Sequence, residues 1–384
     1  MKQNYYDICI LTKLYLCLLY NDLIFRGKNI MNNKVLLEYV WLDGYTTQNL
    51  RSKIKVIDLD ELGFNDDKLD IKSLPVWNFD GSSTQQAPGG NSECHLVPVR
   101  AYQESDNQYL VMCEVFTTVV TNKDGSFYDG IPHHTNQRAL LRESISLADR
   151  NEFWWGFEQE YFIRSKNGNI LGWPNQGNPR PQGEYYCAVG GNNVVGRNLV
   201  EQHLWTCLSL GIELTGINAE VALGQWEYQC FAKDTLKACD DLWMTRYLLN
   251  RCSEYHKCSI DISPKPVKGD WNGSGCHTNF SFKAMREDWS AEKMADLMDD
   301  FGENHYKHIA EYGEDNDKRL TGLHETQHIS NFSWGVGDRG ASIRIPTSVE
   351  KNDWCGYVED RRPSSNCNPY TVARLIINTS TSLD

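Results

Sequence analysis

The chain has no apolar run long enough to span a bilayer, no Cys-x-x-Cys pair, no surplus of positive charge and no complete phosphate-binding loop. Each absence excludes a class. ICILTKLYLCLLY, residues 8–20, is broken by Lys13 and falls short of the roughly 20 residues that a spanning helix needs. The following NDLIFRGKN offers no small-residue cleavage site, and Asp7 and Asp22 do not suit a transit peptide, so residues 1–30 read as an N-terminal extension of unknown role and the expected location is cytoplasmic. The 13 cysteines are scattered, which fits reduced thiols better than a disulfide framework or a zinc knuckle. A formal charge of −13 leaves no general basic surface, so nucleic acid is not an expected partner; nor is a membrane. GGNNVVGRN, residues 190–198, has the Gly-x4-Gly spacing of a P-loop without its Lys-Ser/Thr.

What is present describes a globular protein. The 384 residues are 40% hydrophobic and 23% charged, enough for a large core in one or two domains. From Val35 to about Phe116, short apolar segments flank a turn-rich loop, WNFDGSSTQQAPGGNSE, and read as a small strand-rich unit. TNKDGSFYDGIPHHT, residues 121–135, is polar and reads as a connection. Beyond it, helical patterns at about 136–150, 194–210, 233–256 and 291–312 alternate with short strands, without the regular strand-helix repeat of a doubly wound sheet. The expected fold is α+β, with an extension at 1–30, an N-terminal domain at 31–130 and a larger domain at 131–384.

One strand carries the chemistry. In WWGFEQEYFI, residues 154–163, a period of two puts Trp155, Phe157, Gln159, Tyr161 and Ile163 on one face and Glu158 with Glu160 on the other. NAEVALGQWEYQ, residues 218–229, reads as two strands; a two-residue turn at Leu223-Gly224 would set Glu220 opposite Glu227. Two carboxylates about 4 Å apart repel by on the order of 4 kcal/mol at an effective dielectric near 20, and a bound cation reverses that sign. GSGCHTNFSF adds His277, and GYVEDRRP adds Glu359. Five Glu and one His suit Mg²⁺ or Mn²⁺ better than structural zinc. Arg319, Arg339, Arg344, Arg361 and Arg362 crowd the C-terminal third, where forked guanidinium groups could hold phosphate and carboxylate oxygens.

These motifs, with WNFDGSST, GDWNGSGCHTNFS, RLTGLHET, ASIRIP and GYVEDRRPSSNCNPY in the same order, resemble glutamine synthetase in its shorter, eukaryotic form, from about Val35 almost to the end. The resemblance implies a β-grasp-like N-terminal domain and a catalytic domain with a curved antiparallel sheet. It implies ATP-dependent ligation of ammonium to L-glutamate through γ-glutamyl phosphate. By motif, Glu160, Glu220 and Glu227 would hold one metal, and Glu158, His277 and Glu359 another. Asn272, Gly273, Arg319 and Arg361 would bind glutamate, while Tyr186, Asn279, Ser281, Arg339 and Arg344 would bind ATP. Asp80 and Ser83 would form an ammonium site lent by a neighbouring subunit, in a homo-oligomer expected to be a decamer of two pentameric rings. Asp80, Glu325 and Arg339 would be catalytic.

HETQH, residues 324–328, also spells the His-Glu-x-x-His of zinc peptidases, which requires both histidines on one helix face. Gly322, Gly335, Gly337 and Gly340 around it oppose a helix, and the resemblance makes Glu325 part of a flap over the reaction centre. Ligation to a larger amine and a catalytically silent homologue are the competing readings; intact DGSS and HET favour ammonia, and the complete ligand set favours activity. Ala222-Leu223 stands where the family usually has Met-Pro, and Thr347 where Arg is usual.

Overall fold

The computed structural model describes residues 33–65 and 68–381. The N-terminal extension lies outside them. Strands organise the chain into two large sheets, with the helices gathered in the later part, as the α+β expectation requires.

The first sheet runs in the order Leu50–Asp58, Lys34–Leu42, Gln108–Thr121, Glu93–Ser105, Trp77–Asp80. Lys34–Leu42 and Gln108–Thr121 pair in parallel, and the other neighbours are antiparallel. Alternation explains the packing of KVLLEYVWL: Val35, Leu37, Tyr39 and Trp41 enter this sheet's own core, while Val40 from the opposite face joins the larger core. The polar stretch at 121–135 is more than a connection. Phe127–Pro132 forms a strand that folds back on Gln108–Thr121. Its turn follows from Asp124-Gly125: the Asp124 carboxylate accepts from the Ser126 N–H at 2.9 Å, and Gly125 supplies a φ of 83°.

The second sheet has the order Leu214–Ala219, Gln225–Ala232, Trp154–Arg164, Cys276–Ser281, Val358–Asp360, Ile343–Ile345, Trp334–Val336. One face packs on the helix Thr235–Tyr255, started by Asp234, whose carboxylate accepts from the Lys237 N–H, and on the helix Pro369–Ser380, started by Asn368 with proline in the first turn. Buried charge joins the first sheet to the helices that pack on the second: Asp240 accepts from Arg100 at 2.9 Å, from Arg138 at 2.8 Å and from the Tyr370 hydroxyl at 2.7 Å, while Arg138 also reaches Glu114 at 2.7 Å. Removing one member of such a set leaves the others with buried charge unpaired, so it ties these helices to the first sheet.

Candidate functional site

The strand Trp154–Arg164 lies inside the second sheet, between Gln225–Ala232 and Cys276–Ser281. Its inner face buries Trp155, Phe157, Gln159, Tyr161 and Ile163. Gln159 is tolerated there because its side-chain carbonyl accepts from Arg246 at 2.8 Å. The outer face carries Glu158 and Glu160, and the register supplies their partners: His277 opposite Glu158, Glu227 opposite Glu160, and Glu359 on the strand beyond, opposite Asn279 and Arg344.

The hairpin does not have the expected register. Glu227 faces Asn218, because the reversal occupies Val221 to Gly224 rather than two residues. Glu220 follows the strand Leu214–Ala219 directly and donates its N–H to the Gln225 carbonyl at 3.0 Å. Ala222 and Leu223 prefer burial to an exposed tight turn: Ala222 packs with Phe162, Ile170 and Trp271, and the Trp173 indole donates to the Leu223 carbonyl at 2.7 Å. Glu220 nevertheless reaches the same point by another path.

Two triads of ligand atoms result, each with all its atoms within 4.8 Å of one another: Glu160, Glu220 and Glu227; and Glu158, His277 and Glu359. Their protonation reflects their surroundings. Burial, then Glu160, raises Glu220 to about 8; burial, then Glu160 and Glu158, raises Glu227 to about 9. Burial and Arg361 work to lower His277, but hydrogen bonds to Glu158 and Glu359 win and lift it to about 9. Glu359 goes the other way: burial opposes its charge, yet His277, Arg361 and Arg344 hold it at about 2. Glu220 and Glu227 resist ionising beside Glu160, a repulsion that a cation would relieve, and oxygen-rich donors at this separation are the set a hard divalent ion fits.

These six side chains line a cavity of about 260 Å³ together with Tyr186, Asn272, Gly273, Arg319, Glu325, Arg339, Arg344 and Arg361. Arg361 and Arg344 bond Glu359 at 2.6 and 3.1 Å; Arg339 pairs with Glu325 at 3.0 Å. Arg319 is anchored by the carbonyls of Arg361, Arg362 and Pro363 at 2.8–3.0 Å, and burial lowers it to about 10. The glycines beside it are steric necessities: a Cβ on Gly273 would lie 2.4 Å from the Pro264 carbonyl oxygen, and one on Gly275 would lie 2.8 Å from His277. Arg362 is structural, buried on Asp360 at 2.7 Å.

Asn279 and Ser281 do not line that cavity. They border an adjoining, more apolar groove of about 360 Å³ with Trp154, Phe231, Arg286 and Tyr357, open to Glu158. Asn279 donates to Glu158 at 2.8 Å, which links the two spaces. Tyr186 belongs to the polar cavity and not to the groove. Asp80 and Ser83 line neither: Asp80 ends a strand of the first sheet and Ser83 stands in the helical turn Gly81–Thr84 after it, and the exposed Asp80 accepts from the Ser82 and Ser83 hydroxyls at 2.6 and 2.8 Å, bonds that pull it down to about 2. His324 and His328 share no helix; the first meets Asp270 at 3.2 Å and the second Ser330 at 2.8 Å. His324 and Thr326, which also line the polar cavity, belong to the HET motif that the resemblance sets over the reaction centre, whereas Trp154, Arg286 and Tyr357 in the groove and Gln182 beside His324 carry no motif or spacing that marks them.

The site is of a definite class: a polar cavity in which two acidic triads able to hold metal ions face four arginines, beside a more apolar groove. A family profile described as "Glutamine synthetase, catalytic domain" matches residues 134–310. The glutamine synthetase of Bradyrhizobium diazoefficiens is 48% identical over 356 residues, covering 91% of this chain and 97% of that protein. "Glutamine synthetase 2 cytoplasmic" of Drosophila melanogaster is 44% identical, with 91% and 92% covered, and the mouse glutamine synthetase 42% identical, with 90% of each. A solved structure described as "Apo GmaS without ligand" superposes with a TM-score of 0.65 at 16% identity over 89% of this chain and 77% of that one, a likeness of fold. The chain belongs to the glutamine synthetase family of ligases. No helix among the described residues is long and apolar enough to cross a membrane.

Proposed function

We propose that the chain makes L-glutamine from L-glutamate, ammonia and ATP, and that the residues gathered above divide that work as follows. The observation that carries the reading is the convergence of both acidic triads and four arginines on one cavity. Glu160, Glu220 and Glu227 would hold one Mg²⁺ or Mn²⁺, and Glu158, His277 and Glu359 a second. When bound, such cations neutralise the charge of phosphate oxygens during phosphoryl transfer.

A free γ-carboxylate is a poor electrophile, because an amine would have to expel oxide from it. Transfer of the ATP γ-phosphoryl group onto that carboxylate gives γ-glutamyl phosphate and ADP, and phosphate is a usable leaving group. Arg319, Arg361, Asn272 and Gly273 hold the glutamate, so that the γ-carboxylate faces the phosphoryl donor. Arg339 and Arg344 grip phosphate oxygens, and Arg339 then exchanges its bond with Glu325 for one with the transferring group. The nucleotide base lies in the apolar groove by Asn279 and Ser281, with Tyr186 on the phosphate side.

Asp80 and Ser83 bind ammonium. Asp80, a carboxylate at neutral pH, attracts the cation and takes its proton as the nitrogen attacks the acyl phosphate. Glu325 covers the intermediate against water. Because Asp80 is outside its own chain's cavity, a neighbouring subunit supplies it, in a decamer of two five-membered rings. Exposed Val120, Tyr128 and Ile131 on the hairpin are apolar surface available for such contacts. The division into an N-terminal unit to about residue 130 and a catalytic unit beyond it belongs to the same reading. So does a cytoplasmic location, which the scattered thiols support. The test is glutamine formation from glutamate, ammonium and ATP with and without Mg²⁺: the reading expects product only with the metal, and absence of product under both conditions overturns it.

A further inference from the structure

The flap around Glu325 is held in a costly backbone conformation. His324 and Glu325, neither a glycine, have φ of 54° and 59°, so two successive side-chain-bearing residues occupy the left-handed region. Something must hold them there. Glu325 is fixed by Arg339 through its carboxylate and by Arg361 through its carbonyl at 3.4 Å, both bonds that substrate phosphate or carboxylate would compete for. His324 has a separate anchorage. Its ring meets the Gln182 amide nitrogen at 3.2 Å through Nδ1 and the Asp270 carboxylate at 3.2 Å through Nε2.

The proton positions along this chain follow from one donor. The Asn272 backbone N–H, which can only donate, lies 2.7 Å from the Gln182 side-chain oxygen. That fixes the amide: its oxygen faces Asn272 and its NH₂ faces His324. Nδ1 must then accept, Nε2 carries the proton, and that proton points at Asp270, a carboxylate able only to accept. Every group in the series has a compatible partner. Gln182 therefore ties the Asn272 loop, which the proposed function assigns to glutamate, to the residue beside Glu325.

We propose that Gln182 is a positioning residue which, through His324, couples the ordering of the Asn272 loop to closure of the flap, so that the acyl phosphate forms only where water is already excluded. Resting on the glutamine synthetase reading, the inference adds a residue that never touches the reacting atoms and a reason why phosphoryl transfer stays coupled to amide formation. Gln182 stands in a half-exposed loop, so its replacement is not expected to disturb folding.

The experiment compares the whole protein as wild type, Gln182→Met, His324→Ala and the double variant, in Mg²⁺ with saturating ATP, glutamate and ammonium, scoring phosphate released per glutamine formed. Wild type should give a ratio near one. Each single variant should raise it about fivefold, the effect of losing one ordinary hydrogen bond, with the KM for ATP unchanged. The double variant should be no worse than the worse single variant, because both cut the same connection. An unchanged ratio in Gln182→Met, an unchanged ratio in His324→Ala, or effects that multiply in the double variant would each overturn the inference. A uniform loss of phosphate and glutamine together would also overturn it, as the mark of a merely structural role. A wild type that hydrolyses ATP without making any glutamine would overturn the parent reading as well, which separates the two failures.

Discussion

At Glu227, burial and the neighbouring Glu160 and Glu158 all oppose ionisation, and the carboxyl is lifted to about 9. The sign of the resulting pH dependence is set by the acid being more easily protonated in the folded chain. Its contribution to stability is whole below the unfolded range near 4.5 and is lost as pH rises through the folded value; Glu220, at about 8, and His277, at about 9, act in the same direction. Metal-free protein should therefore melt lower at about pH 9 than at about pH 6, and Mg²⁺ should raise the melting temperature more at the higher pH. Scanning fluorimetry checks both; a metal effect that shrinks with rising pH would contradict the assignment. Glu227→Gln removes the repulsion, so without metal at about pH 9 it should melt higher than wild type, by about 2–4 °C, while glutamine synthesis falls at least about 10–100-fold. Asp80→Ala should impair amide formation more than glutamate-dependent acyl-phosphate formation, and Glu325→Ala should raise ATP hydrolysis uncoupled from glutamine; equal loss in both half-reactions, or an unchanged ratio, would speak against these roles.

Among elements, the strand Trp154–Arg164 was the most legible. Its strict alternation left only one sheet face for Glu158 and Glu160, and the structure has them there. The hairpin that follows was read two residues out of register. Leu223-Gly224 looks like a tight exposed turn, but Ala222 and Leu223 are drawn inward by Phe162, Ile170 and Trp173, and burial of apolar side chains lengthened the loop. The strand Phe127–Pro132 was missed because its polar composition hid an Asp-Gly hairpin that only its partner strand reveals. Spacing could not show Gln182 near His324 either, since their contact crosses 142 positions. The tie between the first sheet and the helices makes a separate prediction. Asp240→Ala leaves Arg138, Arg100 and Tyr370 without their shared acceptor, and should cost about 3–5 kcal/mol in chemical denaturation; a change below about 1 kcal/mol would show that the network does not tie the helices to the first sheet.

At the scale of the whole molecule, Asp80, the residue proposed to bind ammonium, is not among those that line its own chain's cavity. If neighbours exchange that residue, Asp80→Ala and Glu227→Gln protomers, each inactive alone, should regain about a quarter of wild-type activity when dissociated together and reassembled, the fraction of contacts that pair two intact halves. No recovery despite mixed assembly would place the ammonium site within one chain. The resemblance made such sharing expected, whereas composition and periodicity alone were silent on it. The central claim concerns the cations, and counting them tests it most directly. Manganese titrated into metal-free protein at about pH 8 and followed by electron paramagnetic resonance should give two tight sites per protomer, one for each triad, with Glu220→Gln abolishing one and His277→Ala the other. No tight binding in the wild type, or a count left at two by both substitutions, would contradict the account.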